Sequence, residues 1–439
     1  MTLRDLDFVY IRVEVFKREF LSRLELATQF LAQGVAVIIG EVVSDSEIRM
    51  LSEYRGYYYG KCAQHATALS VKILRDCGWR LGAFDEEGLL PYDLDSFAKR
   101  RFSGLSASLF SEIFFFGKAQ LDVFSRRYSN PDLSMYCYGS PRIDEWHSKG
   151  YGVHDSSAQQ IHERFGRYIL FPLNFATYTN KRLRDRCREG AMGSEYIELS
   201  ARSEFLFDKF CRLAGSLQAD GLKVILRPHP ADLDNDIINL SMRHGLSLPS
   251  CQVSSRYSVA PWILASSGLI HNCCTTAVEA ALMGKPVMAY QPGCVSLYDD
   301  SFVNSIGLSS TVEAAAIAFA SKDSSSDGRA LGELGSWDRL NLEFLGSSST
   351  SISGEILSRY CFNRDFCASP SSGAQAYIEN MVAASIGFGH KAVYRKKFSS
   401  RTSAKNVSQI ASMILAYKRL GLDLSVKKIG PKLFILTRG

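Results

Sequence analysis

Hydrophobic positions in the first 150 residues alternate between the spacing of a strand and that of a helix. Residues 8–15 are mostly β-branched and aromatic, and residues 17–33 place Phe20, Leu24 and Leu31 on one helical face. Further strands are predicted at 35–39, 80–84, 113–116 and 135–138, and a second helix at 62–77. Strands that alternate with helices in this way predict a parallel, doubly wound sheet.

The same alternation begins again after a polar stretch at 147–163. Strands are predicted at 168–171, 222–226, 269–271 and 286–290, with helices at 195–217 and 275–283. Serine-rich stretches at 321–326 and 347–353 are typical of loops, and residues 373–420 are predicted to be helical. We therefore predict an α/β protein with two Rossmann-like domains, 1–150 and 160–345, whose parallel sheets face a central cleft. A helical tail, 346–439, is expected to pack back across them.

Composition is that of an ordinary soluble protein. Of 439 residues, 46% are hydrophobic and 22% charged, and no apolar run approaches the roughly 20 residues that span a bilayer. The N-terminus lacks the apolar core of a signal peptide, and the 11 cysteines include no CxxC pair. We therefore expect a cytoplasmic protein without a disulfide framework or a zinc site.

The net charge of +6 is mild and gives no reason to expect a nucleic-acid partner. Basic residues concentrate in the segment 391–405, where they alternate with aromatic ones. This segment is either a solvated face or a region attracted to an anionic membrane, which would place the protein peripherally at the inner face of the cytoplasmic membrane.

A phosphate site is predicted at the end of the strand at 269–271. His271 and Asn272 follow this strand, and Thr275 and Thr276 open the next helix. Free backbone N–H groups, two hydroxyls and an imidazole would then meet at one helix N-terminus, which favours a bound phosphate.

A second imidazole follows the strand at 222–226, in the run Arg227-Pro228-His229-Pro230. His229 could donate to a phosphate or base oxygen while Arg227 adds fixed charge. The alternative is a rigid turn in which Arg227 pairs with a structural carboxylate. Because imidazoles follow two strands of the same half, we favour a nucleotide at the carboxyl edge of this sheet.

Thr276 and Glu279 have the spacing of a capping box, which alone would account for both residues. In the alternative, a ligand phosphate occupies the same helix N-terminus and Glu279 accepts hydrogen bonds from ribose hydroxyls. The residues themselves do not decide between the two interpretations.

Asp85, Glu86 and Glu87 close a predicted strand of the first domain, directly before Gly88. Adjacent carboxylates repel one another, which raises the pKa of at least one and suits it to proton transfer. These three are the candidate catalytic residues, and a solvated acidic turn is the alternative.

Glu14, Lys17 and Arg18 lie where the first strand meets the first helix, at an edge that faces the cleft in a doubly wound domain. The basic pair could hold an acidic sugar or an acceptor phosphate, so we expect an acceptor site here. A surface ion-pair cluster is equally consistent with the residues. The Tyr-Tyr-Tyr-Gly-Lys run at 57–61 is either a stacking surface for a sugar ring or part of the core.

Taken in order, these motifs resemble those of bacterial surface-carbohydrate biosynthesis proteins. The resemblance covers roughly residues 8 to 310 and is carried by EVFKREF at 14–20, DEEGL at 85–89, YGSPRID at 138–144, LNF at 173–175, RPHP at 227–230 and HNCCTTAVEA at 271–280. It implies a GT-B glycosyltransferase of capsule or lipopolysaccharide assembly, similar to the retaining β-Kdo transferases, which use CMP-Kdo.

The resemblance implies transfer of Kdo or a similar acidic sugar from a CMP-activated donor to an oligosaccharide or lipid-linked acceptor, in a growing surface polysaccharide. Within the acidic run the resemblance favours Glu87, because it directly precedes Gly88 as in the family's acidic motif. The implied donor-binding residues are Arg227, His229, Pro230, His271, Asn272, Thr275, Thr276 and Glu279. No cofactor is expected besides the CMP-sugar substrate. No metal is expected either, because a CMP-sugar carries one phosphate and the DxD sequences at 93–95 and 232–234 follow no obvious apolar strand. The alternatives are a UDP- or GDP-sugar donor on the same fold, or a non-catalytic sugar-nucleotide-binding scaffold subunit.

The chain departs from this family after the strand at 168–171. The retaining Kdo transferases place an aspartate nucleophile there, whereas this chain has Asn174 and Asn180 and no carboxylate. Either the nucleophile lies elsewhere or the chemistry is not double displacement, so the sequence leaves a retaining or an inverting outcome open.

Overall fold

A computed structural model describes most of the chain. The described residues are 5–14, 16–40, 54–89, 93–128, 130–146, 154–190, 193–230, 232–247, 253–254, 257–293, 301–322, 340, 343, 346–363, 424–428 and 433–438. The basic segment 391–405 and the predicted helical region 373–420 lie outside them.

Strands and helices alternate through both halves of the sequence. The strands are β1 (Phe8–Arg12), β2 (Val37–Gly40), β3 (Gly56–Gly60), β4 (Arg80–Phe84), β5 (Glu112–Phe114), β6 (Ser134–Tyr136), β7 (Ile169–Pro172), β8 (Val224–Arg227), β9 (Gly268–His271), β10 (Val287–Tyr290), β11 (Leu308–Ser310), β12 (Leu424–Lys428) and β13 (Leu433–Arg438). The α-helices are α1 (Phe16–Ala32), α2 (His65–Asp76), α3 (Leu94–Arg101), α4 (Gly104–Leu109), α5 (Lys118–Arg127), α6 (Pro141–Trp146), α7 (Asp155–Phe165), α8 (Ala176–Thr179), α9 (Lys181–Arg188), α10 (Ser194–Ala219), α11 (Asp234–Arg243), α12 (Ala260–Ala265), α13 (Thr276–Leu282), α14 (Glu313–Ser321) and α15 (Ser348–Arg359).

The chain divides into two compact units. The first consists of Met1–Gly88, Asp93–Glu145 and Trp337–Gly439, and the second of Leu89–Tyr92 and Trp146–Ser336. The C-terminal segment therefore belongs to the first unit.

The first unit is built on one sheet with the strand order β12-β13-β2-β1-β3-β4-β5-β6. Strands β1 to β6 are parallel, and β13 joins β2 in the antiparallel sense. The residues of β1 and β3 are buried on both faces apart from Arg12, as expected of strands covered by helices on either side. The tyrosine run at 57–61 is therefore a central strand of the core, and it is not a surface for a sugar ring.

The C-terminal segment is helical at α15 and adds the hairpin β12–β13 to the first sheet. The prediction of a helical tail over 346–439 is therefore wrong for these two strands. The prediction of a loop at 347–353 is wrong, because α15 begins within this serine-rich stretch. Asp144 accepts hydrogen bonds from the backbone N–H groups of Gly346 and Ser349 at 2.8 and 3.3 Å and from the hydroxyl of Ser348 at 3.0 Å. A distant carboxylate thus caps the N-terminus of this helix.

The second unit has one parallel sheet with the order β11-β10-β9-β7-β8. Its core consists of the inward faces of these strands and of α10, with Phe171, Phe210 and Leu226 among the fully buried side chains. The predicted polar link at 147–163 contains much of helix α7. Each unit is a doubly wound parallel α/β structure, so the predicted fold class is confirmed. No helix in the described part of the chain is long and apolar enough to cross a membrane.

Candidate functional site

The second sheet has a topological switch point between β7 and β9. The chain runs from β7 to β8 on one side and later returns to form β9 on the other side of β7. In open parallel sheets, ligands bind in the crevice that such a reversal opens beyond the carboxyl ends of the strands. Asn174 follows β7 and His271 ends β9, so both lie at this crevice.

The loop after β9 is held across the switch point by asparagine side chains. Asn174 donates from Nδ2 to the carbonyl oxygen of Cys273 at 2.7 Å. Asn304 accepts from the N–H of Cys273 at 2.7 Å and contacts its Sγ at 3.0 Å, and Asn272 donates to the carbonyl of Tyr290 at 3.0 Å. These bonds stabilise Cys273 in the left-handed region, with φ at 48°. A carboxylate could not donate the bond that Asn174 makes, which accounts for the asparagine at this position.

His271 lies below the surface of this crevice, with 0% exposure. Its Nδ1 accepts from the N–H of Cys274 at 3.4 Å, and burial lowers the pKa of His271 to about 3. The imidazole is therefore neutral at pH 7, with its proton on Nε2. Within the described residues, Nε2 has no hydrogen-bond partner. A buried donor without an acceptor costs about 1–3 kcal/mol, so this N–H needs an oxygen from a ligand or a water.

Helix α13 begins beside this loop, and the capping box is not formed. Thr275 stands at the N-cap, its side chain makes no capping hydrogen bond, and Thr276 is already inside the helix. The Thr276 hydroxyl instead accepts from the thiol of Cys274 at 3.3 Å. Glu279 is buried one turn into the helix, at 5% exposure. Capping therefore does not explain the threonines, and their contact with a nucleotide stays a prediction.

Arg227 ends β8, and its side chain binds the backbone of the neighbouring loop. Its guanidinium donates to the carbonyl oxygens of Ser254 at 2.7 Å and Tyr257 at 2.6 Å. Burial lowers the pKa of Arg227 to about 10, so it stays protonated at pH 7. His229 is half-buried and Pro230 is exposed, and both follow Arg227 in the turn after β8.

Asp232 is a buried residue that sequence reasoning set aside as the start of a chance DxD sequence. Its N–H donates to the carbonyl of His229 at 2.8 Å, and its Oδ2 accepts from the Thr179 hydroxyl at 2.9 Å. Among the residues that the structure describes, its Oδ1 has no partner, and burial raises the pKa of Asp232 to about 6. Asp232 thus joins the chain segments after β7 and β8, and no local sequence signal points to Thr179, its partner.

In the first unit, the acidic run after β4 is largely paired with arginines. Glu86 contacts Arg23 at 2.5 Å and Arg142 at 3.4 Å, and both arginines are buried with it. Asp85 contacts Arg101 at 3.2 Å, and burial raises the pKa of Asp85 although Arg101 opposes this effect. These two carboxylates are therefore parts of the interior, and the alternative of a solvated acidic turn is wrong for them.

Glu87 differs from its two neighbours because its side chain is 30% exposed. Its carboxylate lies 3.6 Å from Arg18, and its backbone N–H donates to Oδ1 of Asp85 at 3.1 Å. Glu87 is thus the member of the run that is open to solvent and oriented by a cation. A catalytic role for it stays a prediction.

The predicted acceptor residues belong to a network of ion pairs at the same edge. Glu14 contacts Lys61 at 2.9 Å, and Arg18 contacts Glu19 at 3.2 Å. Burial disfavours the charge on Glu19, but Lys61 and Arg18 lower its pKa to about 2. Lys17 lies in the first turn of α1, and its side chain is outside the described part of the structure. Glu14 and Arg18 are thus both held by counter-ions.

The first aspartates of the two DxD sequences, at 93–95 and 232–234, accept hydrogen bonds from neighbouring groups of the protein. Asp93 caps α3 by accepting from the N–H groups of Asp95 at 3.0 Å and Ser96 at 3.2 Å. The described residues contain no group of three or more His, Cys, Asp or Glu side chains that could hold a metal ion.

Comparison with protein-family models finds no match, and comparison with curated proteins finds none either. The UDP-GlcNAc 2-epimerase of Methanocaldococcus jannaschii is 9% identical with a TM-score of 0.52, over 80% of this chain and 99% of that one. Its complex with UDP-GlcNAc and UDP is 10% identical with a TM-score of 0.51, over the same shares. The wall teichoic acid polymerase TagF is 10% identical with a TM-score of 0.48, over 81% and 89%.

At these identities, the epimerase structures establish similarity of fold and nothing further. The fold is GT-B, with two parallel α/β units, as the resemblance found in the sequence implied.

Proposed function

We propose that the chain is a glycosyltransferase that takes its sugar from a nucleotide-activated donor bound at the carboxyl edge of the second sheet. The main support is the Nε2–H of His271, a buried donor without a partner in the described structure, at the switch point where such sheets bind ligands. Thr275, Thr276 and His229, which follow β9 and β8, are proposed as further donor-binding residues. A neutral imidazole suits a phosphate or base oxygen as a hydrogen-bond donor at any pH above about 4.

The donor is proposed to be a pyrimidine nucleotide. The sequence resemblance supports CMP-activated Kdo or a similar acidic sugar. The epimerase of similar fold is described in complex with UDP-GlcNAc and UDP, which supports a UDP-sugar as the alternative. The acceptor is proposed to be an oligosaccharide or lipid-linked chain of a bacterial surface polysaccharide, bound by the first unit.

Glu87 is the proposed base that deprotonates the acceptor hydroxyl. It is the partly exposed carboxylate of its run, whereas Asp85 and Glu86 are committed to buried arginines. Asn174 occupies the position of the family's nucleophile and uses its amide as a donor. This supports a single displacement that inverts the anomeric centre, since no carboxylate is present there to form a glycosyl-enzyme intermediate.

Calorimetry with CMP, UDP and GDP tests the donor site. We expect one pyrimidine nucleotide to bind, and His271→Leu to weaken its binding by about 5- to 30-fold, which corresponds to the loss of about 1–2 kcal/mol of hydrogen bonding. His271→Gln restores an amide donor and should recover part of the affinity. His244→Leu is the matched control, because His244 is engaged by Tyr178 at 2.8 Å and Asp208 at 3.1 Å. Equal affinities in all variants would contradict the assignment.

Turnover of the donor with an oligosaccharide acceptor tests catalysis. Glu87→Gln should lower turnover by about 100-fold or more without changing nucleotide affinity. The anomeric configuration of the product, read by NMR, should be opposite to that of the donor. Nucleotide binding without any turnover would instead favour the non-catalytic scaffold subunit.

A further inference from the structure

The first sheet has its own switch point, between β1 and β3. The chain runs from β1 to β2 on one side and then crosses to β3 on the other side of β1. Ile11 pairs with Tyr59, so Arg12 and Gly60, the last residues of the two strands, are the next positions along this pair. Arg12 therefore stands at the mouth of the crevice that the reversal opens.

Arg12 differs from the other cations at this edge. Five of them each contact a carboxylate within 4 Å: Arg18, Arg23, Lys61, Arg101 and Arg142. Arg12 has no such ion pair with any described residue. Glu14 is the carboxylate that acts on the charge of Arg12, but it forms its ion pair with Lys61, at 2.9 Å. Arginine keeps its charge at any physiological pH, so within the described part of this edge Arg12 is a charged group without a carboxylate within 4 Å.

Two hydrogen-bond donors beside this crevice are buried and unsatisfied. The Nε–H of Arg12 and the O–H of Tyr58 have no acceptor among the described residues. Tyr58 is wholly buried and stacks on Tyr10, with ring centroids 5.8 Å apart and planes within 10°. The Arg12 guanidinium also lies within hydrogen-bonding reach of the Tyr58 oxygen, so that Tyr58 accepts from Arg12 and its own O–H is available to a ligand oxygen.

These observations indicate which kind of ligand would fit the crevice. A buried donor without an acceptor destabilises the fold, and a guanidinium without an ion pair attracts an oxyanion that can accept more than one N–H. A phosphate supplies both the negative charge and several acceptor oxygens. A neutral sugar hydroxyl supplies neither the charge nor the fork geometry.

We propose that the crevice between β1 and β3 binds a phosphate group through Arg12 and Tyr58. Given the proposed transferase function, this is a phosphate of the acceptor, as in a lipid-linked or phosphorylated glycan. The assignment moves the acceptor's anion from Arg18, which is already paired with Glu19 and Glu87, to Arg12.

Calorimetry with inorganic phosphate, on the full chain saturated with its nucleotide, tests the site. Arg12→Gln should weaken phosphate binding by at least about 10-fold, and Tyr58→Phe by a smaller factor, whereas Arg12→Lys should keep most of the affinity. Arg80→Gln is the matched control, since Arg80 is a half-buried arginine at the opposite, amino end of β4, over the ring of Tyr360. Phosphate affinity that is the same in Arg12→Gln and in the parent protein would overturn the proposal.

Nucleotide titrations without phosphate identify the source of the anion. If Arg12→Gln leaves nucleotide affinity unchanged, the phosphate belongs to the acceptor, as proposed. If Arg12→Gln weakens nucleotide binding as much as His271→Leu does, the anion is the donor's own phosphate and the acceptor assignment is wrong. If no nucleotide binds but phosphate binding still depends on Arg12, the proposed function fails and the phosphate site stands.

Discussion

Replacing Asp232 by asparagine should make the protein more stable at neutral pH. Burial raises the pKa of Asp232 from 3.8 to about 6, so the folded state holds the proton more tightly than the unfolded state does. The free energy of unfolding therefore falls as the pH rises from about 4 to about 6, and it stays lower above that range. Asparagine removes this loss, since it resembles the protonated acid and its carbonyl oxygen can still accept from Thr179.

The magnitude follows from the difference between the two pKa values. From 3.8 to about 6, that difference corresponds to at most about 3 kcal/mol at pH 8. Urea unfolding of the parent and of Asp232→Asn, measured between pH 4 and pH 8, should show a stability gap that opens across this window. Below about pH 4 the gap should vanish, because Asp232 is then protonated in both states.

Asp220→Asn provides the control, since it removes the same charge from an exposed position after α10. Its effect should stay within about 0.5 kcal/mol at every pH. The reasoning is refuted if Asp232→Asn is less stable than the parent protein at pH 8. It is equally refuted if the difference between them does not depend on pH.

Three further substitutions test individual contacts. Glu86→Gln should destabilise the first unit by about 3–5 kcal/mol in urea, because it leaves the buried charge of Arg23 without its counter-ion; a loss below about 1 kcal/mol would show that the pair is unimportant. Asn174→Asp should cost about 1–3 kcal/mol, since a carboxylate cannot donate across the switch point, and unchanged unfolding would contradict that role. Glu112→Gln should speed proteolysis near the end of α15, because Glu112 contacts Arg359 at 3.0 Å; equal cleavage rates would dismiss this anchor.

The hydrophobic pattern was sufficient for most strands, but it missed β3, β11, β12 and β13. The strand predicted at 80–84 has the bounds of β4, and the strand at 286–290 differs from β10 by one residue. Residues 56–60 show no alternation of polar and apolar positions, because both faces of β3 are covered, and their aromatic content also fits a ligand surface. Only the pairing of β3 with β1 and β4 decides between the two interpretations.

The start of α15 could not be predicted from local sequence. A serine-rich stretch favours a loop because serine hydroxyls compete for backbone hydrogen bonds. Here Asp144 satisfies the free N–H groups at the start of the helix from a position about 200 residues earlier in the chain. The local propensity of serine favours a loop here, but the contact with Asp144 stabilises a helix instead.

The roles of the charged residues in the candidate site likewise depend on contacts that are distant in sequence. The sequence places Asp85, Glu86 and Glu87 together at the end of a strand, and it supplies no reason to rank them by exposure. Arg23 lies 63 residues from Glu86, and this distant contact makes Glu86 a structural residue. The family resemblance favours Glu87 as the catalytic residue, and its partial exposure is an independent reason for the same assignment.

Some of the buried donors without an acceptor in the described structure fall at equivalent topological positions in the two units. Arg12 and Tyr58 lie at the β1/β3 reversal, and His271 lies at the β7/β9 reversal. These strands are central in their sheets, where a bare polar atom is most costly to keep. At both reversals the donor lies where the crevice beyond the strand ends can hold a ligand, so an oxygen of a bound ligand is the acceptor that the proposed function supplies to His271 and Tyr58.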